Sequence, residues 1–137
     1  MMGYESSKRR SLIPEYTNRV SQVVVDSALT VHRALGPGLL ESVYEACLAY
    51  ELTKRGYACE RQVLVAIEYD GVKLDDGLRL DLLVEKCVVV ELKAVEALLP
   101  LHDAQLLTYL KLTGHRLGLL INFNVPLLKD GIRRRVL

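Results

Sequence analysis

Neither sign of charge is in excess in this sequence, and it contains no long apolar run. Its 137 residues carry 18 Lys and Arg against 17 Asp and Glu, a formal net charge of +1. Overall charge therefore gives no argument for nucleic acid, and any attraction for a polyanion must come from local patches. No stretch is long and apolar enough to span a bilayer, and the N-terminus lacks the apolar core of a signal peptide. A cytoplasmic protein with no membrane partner is expected. Cysteine is scarce: Cys47, Cys59 and Cys87 are odd in number, widely spaced and without zinc-ligand spacing, which points to reduced cytosolic thiols. Internal repeats, low-complexity tracts and linkers are also absent. What is present is 50% hydrophobic and 26% charged, the balance of a packed globular chain. One domain over residues 17–137 is expected, preceded by a flexible polar arm, residues 1–16, that carries Lys8-Arg9-Arg10.

Hydrophobic periodicity organises the rest. Val20, Val24, Val31 and Leu35 recur on one helical face, so a first helix is expected from Thr17 or Asn18, either of which could cap it. Val23-Val24-Val25 has poor helix propensity, but the period continues through it. Gly36-Pro37-Gly38 breaks the chain, a second helix follows over residues 39–55, and Gly56 ends it. A strand over 58–69, a hairpin turn at Asp70-Gly71, and strands over 78–84 and 88–93 make a meander. Pro100 precedes a third helix over 101–113, and residues 117–121 form a short buried strand. The tail with Lys129, Arg133, Arg134 and Arg135 reads as solvated, with some prospect of gripping phosphates. The order is ααβββαβ, an α/β (α+β) fold with a small mixed sheet flanked by helices on both faces. The last strand is expected to pair in parallel through a crossover.

Within the meander, Asp81, Glu91 and Lys93 interrupt strongly apolar strands. Charges in a strand interior need a partner or a task. Glu91 and Lys93 are two apart and share a strand face. Two acidic oxygen donors can hold a hard divalent cation, and a nearby ammonium can help activate water or stabilise an anion. That combination suits metal-assisted phosphodiester hydrolysis. It demands a particular register. A two-residue turn at Glu85-Lys86 sets Asp81 opposite Val90, with Glu91 on the other face. A three-residue turn, or a bulge, sets Asp81 opposite Glu91. The site therefore predicts an odd loop or a bulge. Glu41 in the first turn of the second helix, Glu45 one turn on, and Gln105 and Tyr109 at i,i+4 on the third helix add polar groups nearby.

These residues together resemble the PD-(D/E)XK nuclease superfamily and, within it, the small GxxExxY proteins. Gly38-Leu39-Leu40-Glu41-Ser42-Val43-Tyr44 matches the motif that names that group, Asp81 the lone aspartate, and Glu91-Leu92-Lys93 the E-x-K tripeptide. Gln105-Leu106-Leu107-Thr108-Tyr109 is similar to the Q-x-x-x-Y motif of RecB-like members. The resemblance spans residues 20–135. Leu80 stands where the superfamily's name has proline, as in many members. The resemblance implies a restriction-endonuclease-like core and a divalent-metal-dependent nuclease acting on DNA rather than RNA. It implies that Asp81 and Glu91 ligate Mg²⁺ or Mn²⁺, with the Leu92 carbonyl as a third ligand and Glu41 supporting the metal or its water. Lys93 would position or deprotonate the attacking water or stabilise the pentavalent phosphorus. Gln105 and Tyr109 would orient Lys93, the metal shell or the nucleic acid.

Blander readings compete at each position. Asp81 and Glu91 could pair with Arg79 and Lys93 at a sheet edge, and Glu41 could simply answer the helix dipole. Glu45 reads as a surface residue, Tyr44 as packing of the second helix onto the sheet, and His32, His102 and His115 as surface or capping residues. At the level of the molecule, the nuclease competes with a non-catalytic module that binds nucleic acid or a partner on the same fold. A homodimer is compatible with either.

Overall fold

The computed structural model describes residues 12–137. The basic run Lys8–Arg10 lies outside the described residues. Helix α1 spans Glu15–Leu35, so it takes in the last two residues expected in the arm. Neither expected cap serves. Pro14 stands at the N-cap position without a side-chain hydrogen bond, Thr17 is buried, and Asn18 instead accepts from Arg134 Nη2 at 2.6 Å. Helix α2 spans Glu41–Lys54 and ends before Gly56, which adopts φ +90°. The valine run stays helical because Val24 is fully buried, with Val23 and Val25 packed against the same core. Tertiary burial outweighs the small propensity deficit of β-branched residues.

The sheet has five strands in spatial order β1-β2-β3-β4-β5: β1 Cys59–Tyr69, β2 Val72–Val84, β3 Val88–Lys93, β4 Leu117–Asn122 and β5 Ile132–Val136. Helix α3, Pro100–Thr113, connects β3 to β4, which pair in parallel from Val88↔Leu117 to Lys93↔Asn122. All other neighbours are antiparallel. The architecture is the expected α/β layering, with one more strand than expected. Val88, Val90 and Leu92 face the core under α1 and α2, and Val89 faces the core under α3. Coverage of both faces explains why Val88–Val90 and Leu119–Ile121 are consecutive apolar residues rather than alternating ones. On β4, Gly118 lets α3 approach: a Cβ there would come 2.7 Å from a Leu106 methyl.

Two segments differ from expectation. β2 begins at Val72 rather than Leu78, because the register shifts between Val65 and Ile67 and Gly77 sits against the Ile67 side chain. A bulge accommodates what reads in sequence as an Asp-Asp-Gly loop. The C-terminal tail is the edge strand β5. Its arginines alternate across the strand: Arg133 and Arg135 bridge to Asp103 of α3 at 3.2 and 2.7 Å, and Arg134 reaches Asn18 of α1. Alternation splits one basic run between two helices. Among the described residues no helix is long and apolar enough to cross a membrane.

Candidate active site

The turn between β2 and β3 has three residues, Glu85–Cys87, with Val84 paired to Val88 and Leu82 to Val90. Glu85 and Lys86 take left-handed φ values of 51° and 55°. One step further along this register sets Asp81 across from Glu91, the odd-loop arrangement that the chemistry requires. The paired ladder stops there, and the two carboxylates replace it. Asp81 Oδ2 accepts from the Leu92 amide at 2.9 Å, and Glu91 Oε1 accepts from the Asp81 amide at 3.3 Å. Backbone donors that would otherwise be orphaned are satisfied by the site's own side chains.

A second irregularity lies on the same line. Leu82 and Val84 belong to the core under α1 and α2, whereas Leu80 and Leu78 belong to the core under α3. Strict alternation would put Leu80 with Leu82. The β1–β2 register is constant from Arg61↔Leu82 to Val63↔Leu80, so both strands change face together, at Gln62 and Asp81. Gln62 carries the strain, with φ +52°. Its side-chain amide donates to Glu45, which also receives Arg61 at 3.1 Å. Glu45 is therefore buried and paired, not the surface residue expected; its ion pair with Arg61 draws it inward.

Four elements converge on one cavity of about 620 Å³. Glu41 enters from the first turn of α2, Asp81 from β2, Glu91 and Lys93 from β3, and Gln105 and Tyr109 from α3. Gln105 Nε2 donates to Tyr109 Oη at 3.0 Å. Leu92 buries its side chain in the α1–α2 core, leaving only its backbone for the site. Leu64, Asp76, Leu78 and Arg79 complete the lining. Sequence reasoning missed Asp76 because it began β2 too late, with the apolar alternation of Val72 and Leu74 as the available signal; Leu64, Leu78 and Arg79 lie on expected strands, and only the fold brings them to the cavity. Arg79 forms no ion pair among the described residues, so it does not neutralise Asp81 as the bland reading required.

Tyr44 lies outside this cavity. It is fully buried and stacked on Phe123 at 4.5 Å between centroids. Its hydroxyl donates to the Gly36 carbonyl at 2.6 Å and accepts from the Leu39 amide at 3.1 Å. The packing role expected for it is thus joined to a second one: pinning the loop that delivers Glu41. Asn122, also buried, clamps the segment after Lys93. It accepts from the Val95 amide at 3.0 Å and donates to the Val95 carbonyl at 2.9 Å. Two of the histidines are structural. His32 Nε2 meets the Val125 carbonyl at 2.8 Å and is buried rather than superficial, and His102 Nδ1 accepts from the Leu99 amide at the start of α3.

Electrostatics mark Glu91. It is 5% exposed, and burial, then the charge of Asp81, push its carboxyl up to about 9; Lys93 only partly opposes this. Burial and Asp81 also raise Glu41, and burial and Glu91 raise the Tyr109 phenol. Crowded carboxylates of this kind are relieved by a cation, and every candidate donor is a hard oxygen, which fits Mg²⁺ or Mn²⁺. Among the described residues no three acidic, histidine or cysteine side chains are close enough to form a complete metal-holding group. The fit therefore rests on two carboxylates and a backbone carbonyl, with Glu41 across the cavity.

Comparison with known proteins identifies the family. Neither the curated proteins nor the solved structures gave a match. A family model described as the PD-(D/E)XK nuclease superfamily matches residues 18–135, a span that includes every cavity residue named above. This chain belongs to the PD-(D/E)XK nuclease superfamily.

Proposed function

We propose that this protein is a divalent-metal-dependent nuclease that hydrolyses phosphodiester bonds in DNA, and that it falls in the GxxExxY group of its superfamily. The observation that carries the reading is the convergence of Glu41, Asp81, Glu91, Lys93, Gln105 and Tyr109 on one open cavity. Support for the GxxExxY assignment comes from the motif residues acting together: Gly38 turns the chain at φ +98°, Glu41 faces the cavity, and Tyr44 holds the loop between them.

Asp81, Glu91 and the Leu92 carbonyl would hold Mg²⁺ or Mn²⁺, with Glu41 holding a water of its shell. A bound dication there supplies Lewis acidity, lowering the pKa of water and offsetting charge on phosphorus. Lys93, on the same strand face as Glu91, holds the attacking water or a phosphoryl oxygen. Tyr109 and Gln105, already bonded to each other, restrict where the Lys93 ammonium and a phosphate oxygen can sit. Phosphodiester hydrolysis at useful rates requires a barrier reduction of the order of 15–20 kcal/mol, so losing Asp81, Glu91 or Lys93 should reduce turnover to background.

The acidic lining also weighs against a module that binds nucleic acid without a cation. The lining holds four acidic groups, Glu41, Asp76, Asp81 and Glu91, against two cations, Arg79 and Lys93, which makes it a poor cradle for a bare phosphate even where Glu91 keeps its proton. Cleavage of plasmid and of single- and double-stranded oligonucleotides with Mg²⁺ or Mn²⁺, set against EDTA and against Glu91→Ala, tests the proposal. Metal-dependent cutting lost in the variant is the expected result. No cleavage of DNA or RNA under either metal removes the enzyme reading, and tight metal-independent binding would replace it with the binding module.

A further inference from the structure

We propose that Glu45, which lies outside the cavity, is a positioning residue that fixes Asp81 in the site by holding Gln62, the residue across from it on β1, in a left-handed conformation. For its consequence the inference rests on the nuclease reading; its geometry does not depend on it. The face change at Asp81 is not local to β2. Because the β1–β2 register is unbroken across it, β1 must change face at the opposing residue, Gln62. A non-glycine residue at φ +52° is disfavoured unless something holds it. The holder is Glu45: its carboxylate accepts from the Gln62 side-chain amide and from Arg61 Nε at 3.2 Å, fixing two consecutive β1 residues to α2. Charge-assisted bonds to the carboxylate of a buried residue are the strong kind.

The consequence follows from parity. Asp81 shares the alternation of Leu83, the face of Glu91; without the change of face beyond it, Leu80 and Leu78 would fall with Leu82 toward α1 and α2, and the wall that Leu78 gives the cavity beside Asp81 would be lost. With it, Asp81 Oδ2 reaches the Leu92 amide, one residue past Glu91. Glu41 and Glu45 lie one helical turn apart, so a single helix supplies an acid to the cavity and a grip on the strand that delivers a second acid.

Native-state hydrogen exchange of the full chain, free of metal, reads the device directly. The Leu92 amide, protected by Asp81, is the reporter, and Val89, paired with Leu83, is the reference. Glu45→Ala is expected to raise exchange at Leu92 by about tenfold relative to Val89, the scale of one charge-assisted hydrogen bond. Gln62→Val, which resists positive φ, should do the same through the strand. Gln62→Gly added to Glu45→Ala should restore most of the protection, because glycine adopts that conformation unheld; a role in packing alone would show no such rescue. Mn²⁺ affinity should follow the same order across the variants. Unchanged Leu92 protection in either single variant, or no rescue in the double variant, overturns the proposal. Exchange behaving as stated in a wild type that binds no Mn²⁺ would leave the positioning role standing and count against the nuclease reading alone.

Discussion

Glu91 combines deep burial with a second carboxylate alongside, and the sign of its effect on stability follows. Its folded-state pKa, pushed up to about 9, exceeds the ordinary carboxylate value, so the folded chain keeps a proton that the unfolded chain releases. That contribution is complete below the ordinary carboxylate range and is lost progressively as pH rises from there through about 9. Glu91→Gln keeps the shape and removes the titration. In metal-free urea titrations its advantage over wild type should grow from pH 5 to pH 8, reaching on the order of 2 kcal/mol. A variant no more stable than wild type at pH 8 would contradict the crowding of Asp81 and Glu91. Tyr44 gives a second residue-scale expectation. Tyr44→Phe keeps the stack on Phe123 but leaves the Gly36 carbonyl and the Leu39 amide without their partner. It should lower stability by about 1–2 kcal/mol, a shift of several degrees in thermal unfolding. The sequence placed Tyr44 only as packing of the second helix onto the sheet; the loop it holds became visible only with the fold.

At the scale of elements, the three-residue turn decides whether a site exists. Inserting one glycine after Lys86, with the three-residue turn kept, pairs Val84 with Cys87 and sets Asp81 opposite Val90. The expected outcome is a folded sheet, with unchanged circular dichroism, that no longer binds Mn²⁺ in a titration followed by paramagnetic resonance. Binding at wild-type strength would show that register does not control the site. Asn122 makes a comparable case between β4 and the segment after β3. Asn122→Ala frees the Val95 amide and leaves its carbonyl only the longer bond from Asn124 at 3.4 Å, and loss of the two part-buried bonds to Asn122 should cost about 1–3 kcal/mol, with earlier proteolytic nicking near residues 94–99. The odd turn was legible because the chemistry demanded it. The start of β2 was not, because a bulge with glycine at its crossing looks like a loop until its partner strand is known. Nor was β5: Arg133-Arg134-Arg135 lacks any apolar alternation, and only Asp103 and Asn18, remote in sequence, give those side chains partners.

Over the whole molecule, a site whose carboxylates repel one another in the folded chain alone couples metal to stability. Mn²⁺ at a hundredfold excess over its dissociation constant should add about 2.7 kcal/mol and raise the unfolding temperature by roughly 8 °C, and Glu91→Ala should abolish the shift. An equal shift in both proteins would place the metal elsewhere. The chemistry, the helical periods, the hairpin signal and the two-faced burial of β3 and β4 are all local properties, set by side-chain type and by spacings of 2 or 3.6 residues, and the chain alone determined them. Tertiary structure decided what depends on residues far apart in sequence: the edge pairing of β5, the burial of Glu45, the joint change of face at Gln62 and Asp81, and the closing of Glu41 over the cavity. No pattern within one segment encodes these, because each exists only when a second segment supplies the missing hydrogen bond, counter-charge or apolar wall.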